Sequence, residues 1–371
     1  MFHATAEKEN RFSVMTTLLQ RTLCAVLVCL VVHSVEAQEN SANRSGARTR
    51  RIPVTGKKTP GVEAIDRVML MYLEKIGCTA ATVAVARGGV LIHSRGYGWS
   101  DKAQSVPTRP DTMIGVASCE KPVTAAAIRQ LARAGRLNLN ASVFKLLKVV
   151  PNGKVVDERI WQITIQNLLD HKPGWEGAPI EEALKAAWQS VHRDPVPAQL
   201  ALKFIMVQRL TSDPGTVYKY CNACYDVLRY VLEKVSGQRP VDYFRTTLFH
   251  RSARNELKGF EAPNARRRKG DPPLVWNDSG AVRASAPALC EFMRHYWFGG
   301  EPRDGGNPLW QKNGSLPGST AMMLWRPDGI DLVYLFNGRG NVAHDDIKRD
   351  LEDALKQGPS SSRRAVPRSP P

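Results

Sequence analysis

Apolar residues recur at Val62, Ile65, Val68, Met69 and Tyr72, a three- and four-residue spacing that places them on one face of a helix over 61–76. Two β-rich runs follow, Thr79 to Ala86 and Val90 to Tyr97. They are joined by Arg87-Gly88-Gly89, which predicts a hairpin. A helix is expected from about Ser118 to Ala134, stopped by Gly135. Residues 137–260 read as mainly helical, with segments Trp161 to His171, Ile180 to Val191, Pro197 to Gln208 and Ala223 to Ser236. Ala284 to Phe298 predicts another helix. Thr320 to Trp325 and Ile330 to Asn337 predict a second hairpin around Pro327-Asp328-Gly329, and Asp345 to Lys356 an amphipathic closing helix. Strands near both ends with helices between them imply an α+β fold. One antiparallel sheet, flanked by helices and built from both chain ends, would carry an inserted helical subdomain at about 137–260.

The chain has 371 residues, 43% of them apolar, enough for one large folded domain over 61–357. Its formal charge of +17 gathers at Arg44 to Lys58, at Arg266-Arg267-Arg268-Lys269, and at Arg363, Arg364 and Arg368. No aromatic residues interleave with these clusters, so nucleic acid is not an expected partner. Peripheral contact with an anionic envelope is compatible with them. Near the start, Arg21 precedes the apolar run Leu23 to Val32, and Val35-Glu36-Ala37 offers small residues for cleavage. Residues 1–37 therefore read as a signal peptide cut after Ala37, with Met15 an alternative start, and the mature protein as exported to the periplasm or beyond. Residues 38–60 read as a flexible basic leader and 358–371, rich in Ser, Arg and Pro, as a disordered tail. Cys24 and Cys29 leave with the signal. Cys78, Cys119, Cys221, Cys224 and Cys290 remain, so at least one thiol has no intramolecular partner. Cys221 and Cys224 form a lone C-x-x-C, and the histidines show no metal-binding spacing; no metal or other cofactor is expected.

Three short motifs carry chemistry. In Ser118-Cys119-Glu120-Lys121, positions three apart share a helix face, so a hydroxyl can meet an amine. A serine hydroxyl is a weak nucleophile until a neighbouring base takes its proton. A lysine serves as that base when burial or nearby cations favour its neutral form. In Tyr220-Cys221-Asn222, the phenol can shuttle protons and the amide can hold both a lysine and a substrate. In Lys312-Asn313-Gly314 with Ser315, a strand would direct Lys312 into a cleft while the glycine lets substrate approach the backbone.

In this order, S-x-x-K, Y-x-N and K-x-G, with their surroundings, the chain resembles the serine β-lactamase and penicillin-binding-protein superfamily. It looks most like class C β-lactamases, D,D-carboxypeptidases and related esterases. The resemblance covers about 62–356 and includes Val83 to Gly89, Gly96-Tyr97-Gly98, Asp111 to Ala117, Ile165 to Gly174, Pro214-Gly215-Thr216 and Leu316-Pro317-Gly318. It implies a cleft between sheet and helical subdomain, with Ser118 attacking a carbonyl to form an acyl-enzyme. Lys121 would accept the proton and Tyr220 would relay it and then help activate water. The backbone N–H groups of Ser118 and Ser315 would form the oxyanion hole. Asn222, Lys312, Asn313, Gly314 and Ser315 would line the substrate site, Lys312 and Asn313 holding a carboxylate. The implied substrates are a β-lactam, a D-Ala-D-Ala-type peptide of peptidoglycan, or a small ester. The alternative is a slowly acylating or non-hydrolytic penicillin-binding module that senses peptidoglycan.

The chain also departs from the pattern. Asn313 replaces a small hydroxyl residue, the segment from Asn222 to Lys312 is shorter than in class C enzymes, and no class A glutamate motif is evident. Cys119 and Cys221 lie inside two motifs. They are expected either to face each other as a disulfide or to be two small buried residues.

Overall fold

The computed structural model describes residues 51–175, 177–191, 197–249, 258–259, 282–303 and 309–356. The chain divides into Met1–Ile52, nearly all outside the described residues, and a unit from Pro53 onward. The segment 1–37 read as a signal peptide, the leader up to residue 50, the basic run at 266–269 and the 358–371 tail lie outside the described residues.

The predicted first helix forms as α1, Glu63–Ile76, with Ile65, Met69, Tyr72, Leu73 and Ile76 buried along one face. It ends at Gly77, whose φ of 69° is the left-handed C-cap that glycine adopts without strain. Strands β2, Ala80–Arg87, and β3, Val90–Gly98, make the expected hairpin, and β1, Val54–Thr55, pairs with Tyr97 and Gly96 of β3. The leader is thus corrected from residue 54: part of it is sheet, because an edge strand completes its backbone hydrogen bonds on any short extended neighbour. The small strand β4, Ile114–Gly115, leads into a 3-10 turn at Ala117–Cys119 and then α2, Glu120–Arg133.

The inserted region is helical as expected: α3, Val143–Leu146; α4, Ile165–Leu169; α5, Gly177–Val191; α6, Ala198–Ile205; α7, Asn222–Ser236; and α8, Pro240–Tyr243. The single helix predicted over Trp161–His171 is instead a 3-10 turn, Glu158–Gln162, and α4. Thr164 breaks them apart by closing a capping box with Asn167, each side chain bonding the other's backbone N–H. Strands β5, Lys258–Gly259, and β6, Val282–Ala284, form a three-stranded sheet with β4 that the sequence pattern did not indicate. Such short strands carry too few residues to show a period.

After α9, Ala286–His295, come β7, Trp310–Leu316, β8, Ser319–Trp325, and β9, Ile330–Phe336; α10, His344–Lys356, follows. The main sheet runs β1-β3-β2-β9-β8-β7, all antiparallel, and the β2–β9 pairing joins the two halves of the chain. Alternation along the strands feeds two cores. Val83, Val85, Met322, Leu324 and Tyr334 pack under α1 and α10, whereas Ala84, Ala321, Met323, Val333 and Leu335 pack against α2, α7 and α9. Strand β7 is the edge, and its outer rim borders the 3-10 turn. Among the described residues, no helix is long and apolar enough to cross a membrane.

Candidate active site

Ser118 sits in the middle of the 3-10 turn that opens α2, so Lys121 follows it on the same face. Lys121 Nζ lies 3.1 Å from Ser118 Oγ and 2.9 Å from Asn222 Oδ1. The Tyr220 hydroxyl reaches Ser118 Oγ from the other side at 3.0 Å. Lys312 Nζ stands 4.6 Å from the centre of the Tyr220 ring and Lys121 Nζ 5.2 Å from it. Five sequence-predicted side chains, Ser118, Lys121, Tyr220, Asn222 and Lys312, are therefore in one place. Tyr220 is 48% exposed, and Ser118 itself is half-buried.

Close packing delivers this geometry. A Cβ on Gly314 would lie 2.3 Å from Val116 O and 3.2 Å from Cys119 N, so only glycine lets β7 lie against the Ala117–Cys119 turn. Val116 N donates to Val282 O at 3.0 Å, tying the turn to β6 as well. Ala117, just before Ser118, has φ 48°, a left-handed conformation that costs a non-glycine residue about 1–3 kcal/mol and persists only where its surroundings hold it. From α2, both carboxylate oxygens of buried Glu120 accept from Arg229 Nη1 of α7, at 2.7 and 2.6 Å, which locks the S-x-x-K helix to the Y-x-N helix. The spacing of Glu120 and Arg229 in the chain gave no sign of this pairing.

Side chains of Asn313 and Ser315 do not join the cluster. Asn313 pairs with Met322 and Ser315 with Thr320, and facing residues project to the same side, here the α1–α10 side, away from Lys312. Asn313 Oδ1 is buried without a hydrogen-bond partner. The expectation that Asn313 assists Lys312 with a carboxylate is corrected for the side chain, because alternation along β7 turns the two residues to opposite faces. Ser315 Oγ instead meets His344 Nε2 at 2.8 Å, and His344 Nδ1 meets the Tyr334 hydroxyl at 2.7 Å. This chain of bonds braces β7 from behind. The cysteine expectation is settled the same way: all five cysteines among the described residues are free thiols. Cys119 Sγ donates to Lys312 O at 3.2 Å under the strand, whereas Cys221 Sγ accepts from Trp175 Nε1 at 3.0 Å.

Electrostatics follow from crowding two ammonium groups around one phenol. Burial alone would raise the Tyr220 hydroxyl, but Lys121 and Lys312 outweigh it and hold the phenol below its ordinary range. Burial pushes Lys312 below the ordinary ammonium range, with Tyr220 opposing and Lys121 adding to the effect. A cleft of about 590 Å³ opens beside them, walled by Tyr218, Tyr225, Phe298 and Trp310, with Lys121, Lys312, Arg129 and Lys172 and the carboxylates of Asp170 and Glu301 among its polar lining. Phe298 and Trp310 stack with ring centres 5.5 Å apart. Among the described residues, no group of three or more His, Cys, Asp or Glu side chains is placed to hold a metal ion.

His171 belongs to this site although the motif reading assigned it no role. Its ring lies 4.7 Å from that of Tyr220, and its Nδ1 accepts the Cys221 N–H at 3.1 Å. Burial, reinforced by the charges of Lys312 and Lys121, depresses it to about 4, so the imidazole is neutral near pH 7 and carries its proton on Nε2. The unfolded chain binds a proton at this histidine below about 6.5 while the folded one does not until about 4, so stability falls as pH drops through that window. His171→Phe keeps the ring but strands the Cys221 N–H, costing roughly 1–3 kcal/mol near neutral pH. It also flattens the acid-side loss. Urea unfolding of both proteins from pH about 7 down to about 4.5 checks this; equal acid sensitivity would remove His171 as its source.

Residues 65–356 match the β-lactamase family. The chain is 27% identical over 240 residues to the protein PbpX of Bacillus subtilis (strain 168), covering 61% of this chain and 56% of that one. The chain thus spans little more than half of that relative's length. A D-alanine carboxypeptidase, AmpC, from Burkholderia cenocepacia superposes with a TM-score of 0.58 at 18% identity, over 79% of this chain and 98% of that one. EstCE1, a hydrolase with promiscuous acyltransferase activity, superposes with a TM-score of 0.60 at 16% identity, over 79% and 97%. These likenesses show a shared fold.

Proposed function

The chain belongs to the β-lactamase family, and from that premise we propose that it is an exported serine hydrolase forming an acyl-enzyme on Ser118. One observation carries the reading: Ser118 Oγ lies within hydrogen-bonding distance of both a lysine amine and a tyrosine hydroxyl, at 3.1 and 3.0 Å. Lys121 takes the hydroxyl proton as Ser118 attacks the carbonyl carbon. Tyr220, its phenol held low by two cations, passes a proton to the leaving nitrogen or oxygen and then draws one from the hydrolytic water. Backbone N–H groups of Ser118 and Ser315 receive the oxyanion, with β7 held in place by the close approach at Gly314. Asn222 holds Lys121 in place through its amide oxygen.

Lys312 and the aromatic walls support, as substrate, an amide or ester that bears a carboxylate and an apolar acyl portion: a β-lactam, a D-Ala-D-Ala-type peptide or a small ester. Reading 1–37 as a signal peptide supports a reaction outside the cytoplasm, where the basic clusters can rest against an anionic envelope.

Mass spectrometry after incubation with a penicillin and with a nitrophenyl ester tests the proposal. A transient adduct on the peptide carrying Ser118, with product released over many turnovers, is the expected result. A permanent stoichiometric adduct supports the sensing alternative. Neither adduct nor turnover with either compound removes the serine-hydrolase assignment.

A further inference from the structure

The mechanism leaves unused the lone C-x-x-C, which the fold places at the first turn of α7. Cys221 is the N-cap and Cys224 stands three residues on, so both sulfurs share the start of the helix. Two N–H donors converge on Cys221 Sγ: the Trp175 indole at 3.0 Å and the Cys224 amide at 3.3 Å. Such donors favour a thiolate over a thiol. The two sulfurs are also unequal in access, Cys221 being partly exposed and Cys224 fully buried. Of the other thiols among the described residues, Cys119 faces Lys312 O and Cys290 is buried in the core.

We propose that Cys221 and Cys224 are a redox-active dithiol that exchanges with small-molecule disulfides, Cys221 attacking and Cys224 resolving. The Cys221 thiolate bonds to one sulfur of the incoming disulfide, whose S–S bond breaks and releases one thiol carrying the proton that Cys221 gave up. Cys224 then loses its proton and attacks Cys221 Sγ. The mixed disulfide breaks, the second thiol leaves with that proton, and the protein S–S bond closes. Two protein thiols are oxidised by two electrons, and the small disulfide is reduced to two thiols. The hydrogen-bond pattern agrees with this division. Contact with Cys224 holds the Cys221 thiol below its ordinary range despite burial, while burial puts Cys224 well above it.

Cys221 lies between Tyr220 and Asn222, and its N–H is held by His171. Closing the disulfide draws Sγ from Trp175 and from the helix cap, and so moves both flanking site residues. This consequence for turnover rests on the hydrolase reading; the thiol chemistry does not.

The test uses the whole protein, incubated with oxidised glutathione and digested with trypsin. The peptide Tyr220–Arg229 holds both cysteines and no others. It is expected to become lighter by two hydrogen atoms and to regain them with a dithiol reductant. Cys224→Ser, which keeps the attacking thiol, accumulates a glutathione adduct at Cys221, and Cys221→Ser accumulates none at Cys224. Cys78, whose thiol burial pushes up to about 12, stays unmodified over the same interval and serves as the internal control. An unchanged Tyr220–Arg229 peptide, or equal adduct formation in the two serine variants, overturns the proposal. Because the readout is mass, it stands or falls separately from acylation of Ser118.

Discussion

Arginine at position 121 lowers the rate of Ser118 acylation by roughly a thousandfold, close to the loss caused by Ser118→Ala. The substitution keeps a positive charge beside Ser118 Oγ and Asn222 Oδ1, which Lys121 Nζ contacts at 3.1 and 2.9 Å. Electrostatic support for the oxyanion and the contact with Asn222 survive in large part. What disappears is a proton acceptor, because a guanidinium does not deprotonate in a protein. The burst of nitrophenol from an ester measures acylation directly, and the unfolding midpoint shows whether the fold is intact. Tyr220 is the competing acceptor, since Lys121 and Lys312 hold its phenol low. If Lys121→Arg acylates within about tenfold of the parent rate, Lys121 is not the base and the role passes to Tyr220. Tyr220→Phe then becomes the deeper loss.

Removing Arg229 produces the largest loss of stability. Glu120 and Arg229 are each only 4% exposed, and the guanidinium also pairs with Asp226. A buried pair of this kind contributes little beyond what apolar residues of the same volume would, but removing one partner strands the other. Arg229→Leu should therefore destabilise by about 3–5 kcal/mol, read from the denaturant midpoint. Burial pushes the Glu120 carboxyl above its ordinary range, and Arg229 is what opposes this. Without the arginine, folding at neutral pH must protonate Glu120 or bury its charge. The deficit is smallest below the ordinary carboxylate range, where folded and unfolded chains both carry the proton, grows as pH rises through that range, and is full only above the raised value that burial gives the folded carboxyl. Adding Glu120→Gln to Arg229→Leu recovers part of the loss. A deficit below about 1 kcal/mol at neutral pH would mean that the pair is not what joins α2 to α7.

Much of the fold was legible because its signals are local. The spacing of Ile65, Met69 and Tyr72, the hairpin glycines at Gly88 and Gly89, and the alternation through β8 and β9 report burial one element at a time. Expectation and structure part where a competing local bond or a distant partner decides. Thr164 split a predicted helix by capping, and Val54 and Thr55 became sheet because β3 offered an open edge.

The sequence by itself determined which residue types could do chemistry and in what order they stand, since S-x-x-K, Y-x-N and K-x-G are written in the chain. Only the tertiary structure decided which of them meet. It placed Tyr220 on Ser118 across 102 positions and turned Asn313 to the far side of β7. It also sent Cys119 to a backbone carbonyl while drawing Cys221 to Trp175 and Cys224. Distance along a chain says nothing about such contacts. They are selected by close packing, at Gly314 above all, and by the cost of leaving a buried polar group such as Glu120 without a partner.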